Sequence, residues 1–222
     1  MKGYYARKIH SLLGLIPLSF FILTHAITNF AAYEGGQQGF RDAVTRINDL
    51  PLVIFLEIFV IWLPLLFHGV YGLYIAYQAQ PNIGHFNTER NWRYVLQRVS
   101  GIIAFVFIVW HVYTTRFQIL FGNATHDDLG GMMHQMVTQP AYFIFFTIGV
   151  IATTFHFANG LWAFLVSWGI TIGPRAQRIS SYICMGVFVV VTALFMLSLF
   201  AFRNEEFANT AQVFTTLKTL IG

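Results

Sequence analysis

The sequence contains few charged residues and only one cysteine. Of its 222 residues, 10% are charged and 56% are hydrophobic, whereas a soluble domain carries about a quarter charged residues. So little charge is typical of a chain embedded in lipid. The formal net charge of +4 is small and scattered along the chain, which argues against a nucleic-acid partner. Cys184 stands alone in an apolar run, which excludes a disulfide framework, a cysteine-rich metal site and a CxxCH motif for covalent haem attachment.

Five uninterrupted apolar stretches occupy most of the chain. Each is long enough to cross a hydrocarbon core, which takes roughly 20 helical residues. Because the backbone in lipid must satisfy its own hydrogen bonds, such stretches form helices. The sequence therefore predicts an all-α integral membrane protein with five transmembrane helices and no separate soluble domain. The stretches run from about Ile9 to Tyr33, Leu50 to Tyr77, Arg98 to Arg116, Ala141 to Trp168 and Ile179 to Phe202.

The connecting segments indicate an orientation. With the N-terminus inside, the inner segments hold eight Lys and Arg residues and the outer segments hold five. This bias predicts that the N-terminus lies inside and the C-terminus outside. We divide the chain into a transmembrane domain, 1–203, and a short tail, 204–222. For the tail, a frayed end and an interfacial helix are both open. The apolar face of such a helix would contain Phe207, Val213, Phe214, Leu217 and Leu220.

Four histidines lie within the predicted spans, one on each of the first four: His25, His68, His111 and His156. An ionisable residue inside a membrane indicates a functional site. The alternative is a core histidine that hydrogen-bonds across helices. That alternative suits one lone histidine better than four on consecutive helices.

The depths of the four histidines fall into two levels. His25 and His111 lie near the outer ends of their helices, whereas His68 and His156 lie roughly 10 Å or more further in. Neutral imidazole is a good axial ligand for haem iron. We therefore predict two non-covalent haems b in a bundle of four helices. His68 and His156 would ligate the inner haem, and His25 and His111 the outer haem.

Four glycines fall where a porphyrin would need small residues. Gly72 and Gly160 each follow an inner-level histidine by four residues and so share its helix face. Gly14 and Gly101 fall at the depth of the inner cofactor by helical rise. Close packing of helices is the alternative reason for glycines in a membrane protein.

Several motifs occur together in one order. They are RKIHSLLGLIP…THAITNF, LPLLFHGVYGLYIA, NWRYVLQRVSGI…WHV, FHFANGLW and WGITIGPRAQRIS. Together they resemble the di-haem cytochrome b558 anchors of bacterial succinate dehydrogenases, the single-anchor type of succinate:menaquinone oxidoreductase. The resemblance covers roughly residues 4 to 202.

The resemblance implies a membrane anchor in the bacterial cytoplasmic membrane, with His25, His68, His111 and His156 as axial ligands. A flavoprotein subunit would oxidise succinate at FAD, so this chain would have no dicarboxylate site of its own. An iron–sulfur subunit would pass the electrons to the anchor, which would reduce menaquinone near the outer haem. The partner subunits would dock on the inner face, near Arg90, Arg93, Arg98, Arg175 and Arg178.

Further polar residues are candidates for binding the haem propionates. The resemblance places His10 and Ser11 beside the inner haem's propionates. Gln97 and Arg98 lie at the same end, and arginine suits carboxylates. His85, His126 and His134 are predicted to lie in solvated loops.

The candidates for a quinone and proton site lie at the outer level. Glu57 is the only acid within a predicted span, and Asn29, Phe30 and Asp49 are near its level. The alternative for Glu57 is an acid that extends outward to the membrane surface. Some fumarate reductase anchors carry a proton-conducting glutamate two residues before the fourth-helix ligand. Here that residue is Thr154, which predicts that such a path is absent.

Other functions remain open from the sequence. Both directions of the reaction, succinate oxidation and fumarate reduction, are compatible with the sequence. Hydrogenase and formate dehydrogenase b-type anchors lack the FHFANGLW and ITIGPRAQR runs. Cytochromes of the bc type hold two haem ligands on each of two helices, a pattern that this sequence lacks. A transporter with proton-relay histidines would show no haem band in a visible spectrum.

Overall fold

The computed structural model describes residues 2–80 and 83–210, and within those ranges the chain is helical with no strand. Five of the helices are long and apolar enough to cross a membrane, which confirms the predicted fold class. The helices are α1 (Lys2–Asn48), α2 (Val53–Tyr77), α3 (Glu89–Leu120), α4 (Leu129–Val137), α5 (Pro140–Ser167) and α6 (Pro174–Ala201). Short 3₁₀ turns cover His126–Asp128 and Glu205–Thr210.

Helix α1 continues past the predicted end at Tyr33, and it bends at Gly36. Gly36 has φ 60° and ψ −152°, a conformation that is essentially restricted to glycine. Beyond the bend, the backbone N–H of Gln37 donates to the Glu206 carboxylate at 3.3 Å. The polar segment after Tyr33 is therefore a second helical piece rather than a loop.

Helix α2 contains one π-helical segment, Glu57–Trp62, directly before Pro64. Proline has no N–H and its ring clashes with the carbonyl four residues earlier, so Pro64 interrupts the α-helical hydrogen-bond ladder at Val60, within the π-helical segment. The wider π turn accommodates the interruption. The hydrogen-bonding pattern of α2 thus changes about one turn before His68.

The chain forms two compact units. The first comprises Met1–Thr24, Ile54–Phe105 and Ile151–Thr192, and the second comprises His25–Val53, Val106–Val150 and Ala193–Gly222. His10, His68 and His156 belong to the first unit, and His25 and His111 belong to the second. Neither predicted histidine pair is divided between units.

Helix α4 was not predicted, and it contributes to the core of the second unit. Met132, Met136 and Val137 are buried there with Phe202 and Phe207. Nine residues are too few to cross a membrane, so this helix lacks the length signal that identifies a span.

The prediction that His134 is solvated is wrong, whereas His126 lies outside the long helices, as predicted, and is partly exposed. His134 lies in α4, is buried, and has its Nδ1 2.9 Å from the carbonyl oxygen of Phe202. His126 is half-buried, with its Nε2 2.9 Å from a guanidinium nitrogen of Arg116. His85 is exposed, as predicted.

The beginning of the C-terminal tail is packed rather than frayed. Phe207 is fully buried, and its ring centroid lies 5.1 Å from that of Phe202. The remaining members of the predicted apolar face, from Val213 to Leu220, lie outside the described residues.

Candidate di-histidine sites

In the first unit, His68 on α2 and His156 on α5 have ring centroids 6.0 Å apart and ring planes at 76°. The His10 ring on α1 stacks on the His68 ring, with centroids 4.1 Å apart and planes at 6°. Three histidines from three helices therefore meet in this unit.

Both rings of the first-unit pair are held through Nδ1 by backbone carbonyls. The Nδ1 of His68 lies 2.9 Å from the carbonyl oxygen of His10, and the Nδ1 of His156 lies 3.0 Å from that of Gln97. The Gln97 side-chain amide lies further from the His156 Nδ1, at 3.2 Å. A carbonyl can only accept, so the two carbonyl contacts assign the proton to each Nδ1 and leave each Nε2 with its lone pair. This arrangement is common for histidines that ligate a metal.

In the second unit, His25 on α1 and His111 on α3 have ring centroids 6.2 Å apart and planes at 67°. The rings of Phe107 and Phe146 flank His111 at 5.7 and 5.8 Å. The Nδ1 of His111 is buried and has no hydrogen-bond partner among residues 2–80 and 83–210. The pair thus lies in an aromatic, apolar setting.

Glycines make room for the first-unit rings. A Cβ at Gly14 would collide with the His68 ring, and one at Gly101 would lie 2.7 Å from the His156 ring. Gly72 and Gly160 contact other side chains: a Cβ there would lie 3.0 Å from Nε2 of His10 and 3.1 Å from Nε2 of Gln97, respectively.

One second-unit glycine was not anticipated. A Cβ at Gly149 would collide with the Phe107 ring, which stacks on His111. The sequence offered a signal for it, since Gly149 lies seven residues before His156 and therefore on a similar helix face.

The predicted propionate residues lie at the same end of the first unit. The Nε2 of His10 and the Nε of Arg98 are buried, and within the described ranges neither atom has a hydrogen-bond partner. Ser11 accepts a long hydrogen bond from Nε1 of Trp168, at 3.4 Å. The Arg98 guanidinium stacks 3.2 Å above the Tyr94 ring.

Arg93 differs from the arginines with which the sequence grouped it. Arg90, Arg175 and Arg178 are exposed, whereas Arg93 is buried with 8% of its surface accessible. Its guanidinium lies 3.9 Å from the centre of the Trp162 ring. Arg93 is therefore held inside the first unit rather than displayed on the surface with the other three.

The predicted quinone residues are distributed between the units. Glu57 is half-buried at the start of the π-helical segment of α2, in the first unit. In the second unit, Asn29 donates to the carbonyl oxygen of His25 at 2.8 Å, and the ring of Phe30 stacks on Tyr33. Asp49 is exposed directly after α1.

Both histidine pairs fit a haem. An imidazole–metal bond is about 2 Å long, and a ring centre lies about 1 Å behind its nitrogen, so two imidazoles on one iron have centres about 6 Å apart. The observed separations are 6.0 and 6.2 Å. Within the described residues, histidine, cysteine and acidic side chains do not gather in metal-binding groups of three or more. A porphyrin supplies four nitrogens, so two protein ligands suffice.

The fold and comparisons with known proteins place the chain in a family. Its five long apolar helices make it a multi-pass membrane protein. Residues 78–195 match the family described as succinate dehydrogenase/fumarate reductase transmembrane subunit. The chain is also 45% identical to the succinate dehydrogenase cytochrome b558 subunit of Bacillus subtilis (strain 168), over 90% of this chain and 98% of that protein. No solved structure matches. The chain belongs to the succinate dehydrogenase/fumarate reductase transmembrane subunit family and is a subunit of such a complex.

Proposed function

We propose that this chain is a di-haem membrane anchor that conveys electrons from an iron–sulfur subunit to menaquinone in a succinate:quinone oxidoreductase. The observation that carries the proposal is the occurrence of two histidine pairs on the long apolar helices, each with the ring separation that one iron requires. The similarity to a protein named cytochrome b558 supports b-type haem as the group bound.

The residues of the first unit would hold one haem. His68 and His156 would be its axial ligands, because their Nδ1 bonds leave each Nε2 available. His10, Ser11 and Arg98 would receive the propionates, since His10 and Arg98 have buried nitrogens that no described residue satisfies. Gly14 and Gly101 keep the backbone clear of the ligand rings.

The second unit would hold the other haem between His25 and His111. The backbone carbonyl of each ligand accepts a hydrogen bond from a side chain four residues later on the same helix. Thr115 donates to the carbonyl oxygen of His111 at 2.6 Å, and Asn29 donates to that of His25 at 2.8 Å. Each bound haem would supply a one-electron carrier. The rings of Phe107 and Phe146 give this site an apolar wall.

The partners follow from the family. A flavoprotein subunit with FAD would oxidise succinate, and an iron–sulfur subunit would dock on the side of the N-terminus. Exposed Arg90, Arg175 and Arg178 suit a polar interface or anionic lipid headgroups there. The positive-inside bias supports N-terminus in and C-terminus out, in a bacterial cytoplasmic membrane.

Menaquinone would be reduced near the His25–His111 level. Glu57, Asn29, Phe30 and Asp49 are the candidates for its site, and Glu57 would supply protons. A π turn such as the one that begins at Glu57 frequently marks a functional site.

Haem content and spectra test the proposal. The purified complex should contain two low-spin haems b per anchor by pyridine haemochrome assay. Replacing either His68 or His156 by alanine should remove the same spectral component, and replacing either His25 or His111 the other. A single haem in the intact complex would contradict the proposal. Loss of the same component in His25 and His68 variants would contradict the pairing.

A further inference from the structure

A chain of hydrogen bonds leads from His156 to a buried arginine. The Nδ1 of His156 donates to the carbonyl oxygen of Gln97, and the Gln97 side-chain amide donates back to the carbonyl oxygen of His156 at 3.0 Å. The Gln97 side-chain oxygen accepts from Asn159 at 2.7 Å. The oxygen of Asn159 in turn accepts from Nε of Arg93 at 2.8 Å.

Arg93 itself is held on several sides. One guanidinium nitrogen donates to Ser181 of α6 at 2.6 Å, and the guanidinium plane covers the Trp162 ring. Glu89 is the acid paired with Arg93, at 3.7 Å, and its side chain is 84% exposed. Because the carboxylate is solvated, this ion pair offsets little of the buried charge.

We infer that Arg93, acting through Asn159 and Gln97, positions the His156 ring and maintains a fixed positive charge that raises the potential of the haem bound there. This inference rests on the proposed function and makes Arg93 a positioning residue. No described side chain satisfies its second terminal nitrogen, and a buried charge is costly unless it is paired and fully hydrogen-bonded. Removing the partners of a metal-ligating histidine commonly changes the metal site.

The sign of the effect follows from charge. Reduction of a bis-histidine haem removes one positive charge from the iron, and a nearby fixed cation favours the state with less positive charge. Removal of the arginine charge should therefore lower the midpoint potential of this haem and leave the other haem unchanged.

The first experiment is a redox titration of the whole complex with Arg93→Gln and Arg93→Lys. We expect Arg93→Gln to lower the potential of the component that His156 variants remove, and Arg93→Lys to restore most of the shift. An unchanged potential with both haems bound, or equal shifts of both components, would overturn the inference.

The second experiment compares Asn159→Ala with Ser181→Ala by electron paramagnetic resonance. Ser181→Ala removes one hydrogen bond of the Arg93 guanidinium. Asn159→Ala also removes one, together with a longer bond to the Arg93 backbone carbonyl, and it alone breaks the link to Gln97. We expect Asn159→Ala to shift the low-spin signal of one haem and Ser181→Ala to leave it in place. Equal effects of the two variants, or no effect of either, would overturn the inference.

If the Arg93→Gln complex does not assemble in the membrane, the comparison of Asn159→Ala with Ser181→Ala tests the inference by itself. A wild-type complex without two low-spin haems would contradict the proposed function, whereas two normal haems with unresponsive variants would contradict this inference only.

Discussion

Gly14 and Gly101 face the ligand rings of the first unit, and each leaves no space for a methyl group. A Cβ at Gly101 would lie 2.7 Å from His156, and one at Gly14 would overlap the His68 ring. Both rings are held by Nδ1 bonds, so neither can simply turn aside.

We therefore expect Gly14→Ala and Gly101→Ala to remove or convert to high spin the haem component that His68 and His156 variants affect. Haem spectra of the purified complex provide the measurement. Gly186→Ala is the matched control, because a Cβ there meets no described atom within 4 Å and alanine favours a helix by about 1 kcal/mol. Normal spectra in both test variants would show that the rings can shift at little cost.

Glu57→Gln tests the candidate proton donor. We expect quinone reductase activity to fall by at least tenfold, as for the loss of a general acid, with both haem spectra and succinate oxidation by a soluble dye retained. Glu34→Gln, which alters an exposed acid on α1, should leave both activities unchanged. Normal quinone turnover in Glu57→Gln would indicate an acid that only reaches the membrane surface.

At the scale of elements, the bend in α1 depends on one glycine. Gly36 has a positive φ, and a Cβ there would collide with the Glu206 carboxylate. A non-glycine residue in this region of backbone space costs about 1–3 kcal/mol.

Gly36→Ala should accordingly lower the thermal midpoint of the complex. The midpoint is measured as the temperature at which half of the haem absorbance is lost on heating. The neighbouring Gly35→Ala is the control, because a Cβ at Gly35 has no described atom within 4 Å. Equal midpoints for the two variants would mean that α1 relaxes without the bend.

The sequence predicted some elements well because apolar length is a strong signal. The five spans and the histidine on each of the first four could be read directly. Helix α4 could not, because its nine residues are short and its burial depends on distant partners such as Phe202 and Phe207. Arg93 resembled its exposed neighbours in sequence, and its burial arises from Asn159 and Ser181 on other helices. Backbone carbonyls that orient histidine rings leave no mark in a sequence.

For the whole molecule, the proposed orientation couples turnover to the membrane potential. Quinone reduction near the outer level would take up protons from outside, whereas succinate oxidation would release protons inside. Turnover would then dissipate the proton gradient, which helps if menaquinone has a lower potential than the succinate couple.

In sealed membrane vesicles that another respiratory enzyme keeps energised, with the outer side positive and acidic, a protonophore should consequently slow succinate oxidation by menaquinone. Oxidation by a soluble dye that accepts electrons from the partner subunits should continue at its normal rate. The two assays share every step up to the anchor, so a difference locates the effect in this chain. Equal rates of quinone reduction with and without the protonophore would contradict an outer site for quinone reduction.

The arrangement of the histidine pairs along the chain also has a consequence for biogenesis. The histidines of the two proposed ligand pairs alternate along the sequence, since His25 pairs with His111 and His68 pairs with His156. During synthesis the second-unit pair is complete once α3 has entered the membrane, whereas the first-unit pair must wait for α5. The His25–His111 pair is therefore the first that the growing chain can offer to a haem, although Phe195, which contacts His25, follows only with α6.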